Sequence, residues 1–74
     1  MNSMHLLGRQ GDSETRWDPS DPTSTQNARR RFEAYQRAGF LTFSAIEPGR
    51  EAVQVRDFDP RAEEIIITRP LVGG

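Results

Sequence analysis

Asp21-Pro22-Thr23-Ser24-Thr25-Gln26-Asn27-Ala28-Arg29-Arg30-Arg31-Phe32-Glu33-Ala34-Tyr35-Gln36-Arg37-Ala38-Gly39 is the stretch that decides the architecture of this chain. Asp21 is suited to accept from the free N–H groups of a first helical turn. Pro22 fits the first helical position, where its missing N–H has no bond to lose. Thr23-Ser24-Thr25-Gln26 offers a capping box one step later. No proline or glycine interrupts before Ala38, and Gly39 stands where a left-handed C-cap is wanted. The spacing predicts a helix over about 22–38. Ala28, Phe32 and Tyr35 fall at i, i+4 and i+7 and form one apolar stripe, while Arg29, Arg30, Glu33, Gln36 and Arg37 face elsewhere.

A helix with a single apolar stripe needs a surface to cover, and the flanking sequence reads as strands. Before it, Met4, Leu6 and Leu7 form a short apolar arm, Gly8-Arg9-Gln10-Gly11 is a turn signal, and Asp12–Trp17 alternates. Ser13, Thr15 and Trp17 point one way; Asp12, Glu14 and Arg16 point the other. Together they read as a β-hairpin. Asp18-Pro19-Ser20-Asp21-Pro22 is a stiff polar connector. After the helix, Phe40–Ile46 is rich in aromatic and β-branched residues and reads as a strand. Glu47-Pro48-Gly49-Arg50 is a turn, and Val53 and Val55 alternate with Gln54 and Arg56 in a half-buried strand. Asp59-Pro60-Arg61-Ala62-Glu63 leaves room for one short helical turn. Glu64–Arg69 contains Ile65, Ile66 and Ile67, apolar on both faces, which marks a central strand. Pro70 ends it, and Leu71-Val72-Gly73-Gly74 reads as a flexible tail. The expected fold class is α+β: a two-layer roll of hairpin, one long helix, two strands, a short helical turn and a final central strand. Residues 1–70 form one domain with 71–74 as its tail, and the expected core is Trp17, Phe32, Tyr35, Phe43, Val53, Val55, Ile65 and Ile67.

Composition narrows the functions. With 74 residues, 34% of them hydrophobic, the chain has material for one thin core and no second domain. Cysteine is absent, so neither disulfides nor a thiolate-held zinc can reinforce it. That absence fits a reducing cytoplasm. No apolar run approaches the roughly 20 residues of a membrane span, and Met1–Gln10 carries no signal-peptide pattern. A net charge of -1 argues against a general binder of nucleic acid or membrane surfaces. All ten basic residues are arginine, a bias that GC-rich coding explains, so the chain has no lysine amine to acylate or to form a Schiff base.

Enzymatic chemistry finds little footing. His5, the one histidine, lacks a cysteine partner and reads as an ordinary strand or surface residue. Asp57/Asp59 and Glu63/Glu64 are carboxylate pairs that could bind a hard cation only within a cleft, and Asp59 is better explained as a cap. With no lysine there is no phosphate-cradling loop of the usual kind. No catalytic residue, metal ligand or cofactor is therefore expected. Arg29-Arg30-Arg31 spreads around the helix, and Arg30 and Arg37 lie two turns apart on a common side. The arrangement favours a solvated face, with an acidic protein partner next and nucleic acid last. The C-terminus is more suggestive. Leu71 and Val72 lead into Gly73 and Gly74, which lack β-carbons and can thread a narrow channel to present a carboxylate for adenylation. Small residues are also common at chain ends, so position alone leaves both readings open.

The hairpin around Gly8–Gly11, the helix after Pro22, the turn at Asp59–Glu63, the strand Glu64–Arg69 and Gly73-Gly74 together resemble ubiquitin-like β-grasp proteins. The order of elements covers nearly the whole chain, although the terminal diglycine is the one true family motif. The resemblance implies a non-catalytic interaction protein of the cytoplasm, acting as a protein modifier or sulfur carrier through Gly73 and Gly74 with an activating enzyme as partner. Pro70 stiffens the start of that tail, and the lack of lysine removes side-chain sites for chain building, which points to a single-use tag or a sulfur carrier. Gly11-Asp12-Ser13, Trp17-Asp18-Pro19, Phe58-Asp59-Pro60 and the closing Gly-Gly look in turn like small proteins of bacteria and their phages. That second likeness implies a mobile-element accessory or virion structural protein, docking to an assembly subunit through its sheet edge, Arg30, Arg37, Leu71 and Val72.

Overall fold

The computed structural model describes residues 2–7, 13–45 and 51–69. Its helix, α1, runs over Pro22–Arg37. The Asp21 carboxylate accepts from the Thr23 N–H at 3.1 Å, Pro22 opens the first turn, and Ala38 is the C-cap. The stop is a Schellman motif. The Phe40 N–H reaches the Tyr35 carbonyl and the Gly39 N–H reaches that of Gln36, both at 3.0 Å. Gly39 takes φ +93, and the Tyr35 and Phe40 rings pack 5.7 Å apart across it.

Five strands form one mixed sheet: β1 (Asn2–Leu6), β2 (Ser13–Trp17), β3 (Leu41–Ala45), β4 (Val53–Gln54) and β5 (Glu64–Thr68). Their spatial order is β2-β1-β5-β3-β4. β1 and β5 run parallel at the centre, and the other neighbours are antiparallel. The isoleucine triplet does occupy a central strand, with Ile65 and Ile67 buried under α1 and Ile66 on the opposite face. The turn signal at Gly8–Gly11, the Glu47–Arg50 turn and the tail from Pro70 onward lie outside the described residues.

The core joins Met4, Trp17, Ala28, Phe32, Phe58, Ala62, Ile65 and Ile67, with Leu6, Tyr35, Phe40 and Val55 packed against it. Two expected members are not in it. Phe43 lies in register with Ile66 rather than with Ile65 or Ile67, which puts it on the face away from α1. Its place beneath the helix side is taken by Thr42, buried with its hydroxyl donating to the Val55 carbonyl and accepting from Gln36 Nε2. Val53 is 63% exposed on β4, a two-residue strand at the edge of the sheet. Phe58 fills the volume instead, 5.1 Å from the Trp17 ring and 5.7 Å from that of Phe32, with the Arg29 guanidinium 5.5 Å over its outer side.

Asp59–Glu63 is a tight turn rather than a turn of helix. The Ala62 N–H donates to the Asp59 carbonyl at 3.1 Å and the Arg61 N–H to the Asp59 carboxylate at 2.9 Å. The N-terminal strand locks it in place. Asn2 Nδ2 donates to the Pro60 and Ala62 carbonyls at 3.0 and 2.8 Å, and Trp17 Nε1 donates to the same Pro60 carbonyl at 3.0 Å.

Candidate functional site

α1 covers one face of the sheet, and among the described residues no helix or strand covers the other. Strand alternation and register decide what that open face carries. One row across the sheet reads Glu14, His5, Ile66, Phe43 and Gln54. The row toward one end holds Arg16, Ser3, Glu64 and Ala45, the last buried at 4% exposure; toward the other it holds Thr68 and Leu41, with Leu7 beside them. The face is therefore divided. Leu7, Leu41, Phe43 and Ile66 form an apolar area, in which Leu7 is 43% exposed and the others are half-buried. Ser3, His5, Glu14 and Arg16 form a polar area on β1 and β2.

The polar area is a linked chain of side chains. Ser3 Oγ and His5 Nε2 are 3.1 Å apart, His5 Nδ1 lies 3.6 Å from Glu14 Oε2, and Arg16 Nε donates to Glu14 Oε1 at 2.7 Å. A hydroxyl, an imidazole and a carboxylate in that order are the parts of a nucleophilic relay, and the sequence reading did not join them. The signal was present in the i, i+2 spacing of Ser3 and His5 on a strand, but Glu14 reaches them only through the hairpin register. Acyl transfer also needs N–H donors converging where the oxyanion forms. The Ser3 N–H is already committed to the Glu63 carbonyl at 3.0 Å, so it is not free to serve as such a donor. Together the four side chains offer hydrogen-bond donors and acceptors and charged groups of both signs.

The other expected site residues are not gathered together. Arg30 and Arg37 are exposed on α1, and Arg30 borders a shallow depression with Pro22, Thr23, Gln26 and Asn27. Arg29, expected to face solvent, is half-buried against Phe58. Asp57, Asp59 and Glu63 form no metal-holding group, and no such group of three occurs among the described residues. Asp18 Oδ1 accepts from both the N–H and the hydroxyl of Ser20, at 2.9 and 2.8 Å. The Ser20 N–H first, and then its hydroxyl, hold the Asp18 carboxyl below its ordinary range, which serves the turn before α1. Leu71, Val72, Gly73 and Gly74 lie outside the described residues. No helix among those described is long and apolar enough to cross a membrane.

No protein-family model, curated protein or solved structure matches this chain.

Proposed function

We propose that this chain is a non-catalytic protein-interaction module of the ubiquitin-like β-grasp type, which receives a protein partner on its open sheet face. Its C-terminal Gly73-Gly74 would serve covalent attachment or sulfur carriage. The single observation that carries the reading is the placement of Phe43, Ile66, Leu41 and Leu7 together on the face that α1 leaves uncovered. Large apolar side chains held by a rigid sheet, beside a rim of Ser3, His5, Glu14 and Arg16, have the anatomy of a small interface centre. The sheet order, with a parallel central pair and one helix, is consistent with the β-grasp arrangement. A partner on this face buries apolar area without disturbing the core under α1.

The test places a photo-crosslinking side chain at Gln54, next to Phe43 in the register, and at Glu33 on the exposed side of α1 as the comparison position. In extract from the source cell, adducts are expected from position 54, and Phe43→Ser with Ile66→Thr should remove them while the far-ultraviolet circular dichroism is retained. Equal adduct yield from position 33, or adducts that survive the double substitution, would overturn the open-face reading. Covalent use of the tail is tested separately, by ATP–pyrophosphate exchange with an adenylating enzyme of the ubiquitin-activating class. Exchange should require Gly74, and exchange that persists after its deletion refutes that role.

A further inference from the structure

Among the described residues β2 is an edge strand whose residues match themselves. β2 pairs only with β1 among the described strands. The Ser3 N–H donates to the Glu63 carbonyl and the Leu7 N–H to the Ile67 carbonyl, so the odd residues of β1 direct their backbone groups toward β5. Asn2, Met4 and Leu6 must then direct theirs toward β2, where their partners are Trp17, Thr15 and Ser13. Alternation leaves the N–H and C=O groups of Glu14 and Arg16 pointing out from the edge.

We infer that β2 pairs with β2 of a second copy of this chain, antiparallel about a two-fold axis at Thr15. In that register Glu14 of one copy faces Arg16 of the other, and both are the residues whose backbone groups point outward. Each such pair exchanges two N–H···O=C bonds, giving four across the junction, while Thr15 meets its own copy in the non-hydrogen-bonded position between them. Charge selects this register over its neighbours. A shift to an axis at residue 14 or at residue 16 sets Glu14 against Glu14 or Arg16 against Arg16, and like charges directly opposite are destabilising. In the favoured register the existing 2.7 Å Arg16–Glu14 pair of each copy becomes half of an alternating four-charge cluster on the open face.

The two-fold axis stands normal to the sheet, so both helices lie on one side and the two open faces join on the other. Ser13, Glu14 and Arg16 are exposed and offer no bulk against such an approach. Charged residues on an edge ordinarily discourage pairing. Here one charge of each sign, two residues apart on one face, makes the edge complementary to itself and to no edge of uniform sign. The contact spans five residues per copy, less than a standard interface, so the association is weak and depends on concentration.

Sedimentation equilibrium of the full chain, from micromolar concentrations up to about 1 mM, reads the dimer directly. Glu14→Arg and Arg16→Glu each set like charges across both pairs and should weaken self-association about tenfold or more. Glu14→Arg combined with Arg16→Glu in one chain restores opposition and should restore the dimer. An equimolar mixture of the two single variants should form a heterodimer, because each then faces the opposite charge. Circular dichroism of every variant confirms that the fold is intact. The Glu14 and Arg16 amides should also exchange with deuterium more slowly as concentration rises. A wild-type chain that stays monomeric at about 1 mM overturns the inference, as do single variants that dimerise as well as the wild type.

Discussion

The two carbonyls that hold the Pro60–Ala62 turn against β1 make a quantitative test of how this small fold is closed. Asn2 is 8% exposed, and its amide supplies one hydrogen bond to Ala62 and one to Pro60, which also accepts from Trp17. A net hydrogen bond contributes about 0.5–1.5 kcal/mol, and a buried group left unpaired costs about 1–3 kcal/mol. Asn2→Ala removes both bonds but leaves the Pro60 carbonyl with Trp17, so its expected cost is about 2 kcal/mol. For a chain of this size that is a fall in melting temperature of roughly 8–16 °C. Trp17→Phe keeps most of the ring volume and removes the other donor, for about 1 kcal/mol plus the loss of packing area. The double variant leaves the Pro60 carbonyl with neither donor. Its destabilisation should therefore exceed the sum of the two singles, by about 1 kcal/mol. Urea unfolding followed by far-ultraviolet circular dichroism measures all four chains on one scale. An Asn2→Ala cost under about 0.5 kcal/mol, or a strictly additive double variant, would refute the shared-acceptor account.

Other consequences follow from the same contacts. Gly39→Ala meets no atom within 4 Å but must adopt φ +93, so it should cost about 1–2 kcal/mol by strain alone, measured by the same unfolding assay. Ile65→Ala should cost about 2–5 kcal/mol, whereas Ile66→Ala, on the open face, should cost well under half as much; equal costs would mean that the face is covered. The Asp18 carboxyl, held low by Ser20, should titrate below an ordinary aspartate in a carbon-detected NMR titration. Because its folded value is depressed, the stability it contributes is present above the unfolded value and is lost as pH falls through the folded one. Ser20→Ala removes only the hydroxyl bond and should recover part of the shift, while Asp18→Asn should flatten that acid limb.

Local chemistry made some elements legible and left others hidden. α1 was readable to within a residue because its start and stop are local devices: Asp21 before Pro22, and Gly39 after an unbroken helical stretch. The central position of β5 was readable because apolar side chains on both faces suit a strand with neighbours on each side. Phe58 could not be found in this way. It sits between Asp57 and Asp59 in an irregular segment, and no periodicity marks a residue that reaches the core from a loop. Asn2 was hidden for a related reason, since its partners are backbone carbonyls about sixty positions away that no side-chain pattern announces. The same limit explains the relay of Ser3, His5 and Glu14, where only the hairpin register brings the third residue to the other two.

The inversion at β3 bears most directly on function. Leu41-Thr42-Phe43-Ser44-Ala45 alternates cleanly, and hydropathy alone sends Phe43 inward. The chain does the reverse: Thr42 is buried and Phe43 lies on the uncovered side. Burying a hydroxyl is unfavourable unless it is bonded, and Thr42 is bonded twice, to Val55 and to Gln36, which also ties the Arg56 carbonyl at 2.6 Å. Those bonds fix the path of 55–56 and thereby aim the following Phe58 at Trp17 and Phe32. Once Thr42 is fixed inward, the two-residue period of the strand leaves Leu41 and Phe43 no choice of side. They join Ile66, which the parity of β5 places there for the same reason. The placement of the apolar area is thus set by the internal fastening of the fold, while Leu41, Phe43 and Ile66 themselves lie outside the core cluster, so substitutions that make them polar leave that cluster in place. This separation allows partner binding and folding stability to be tested independently in the same molecule.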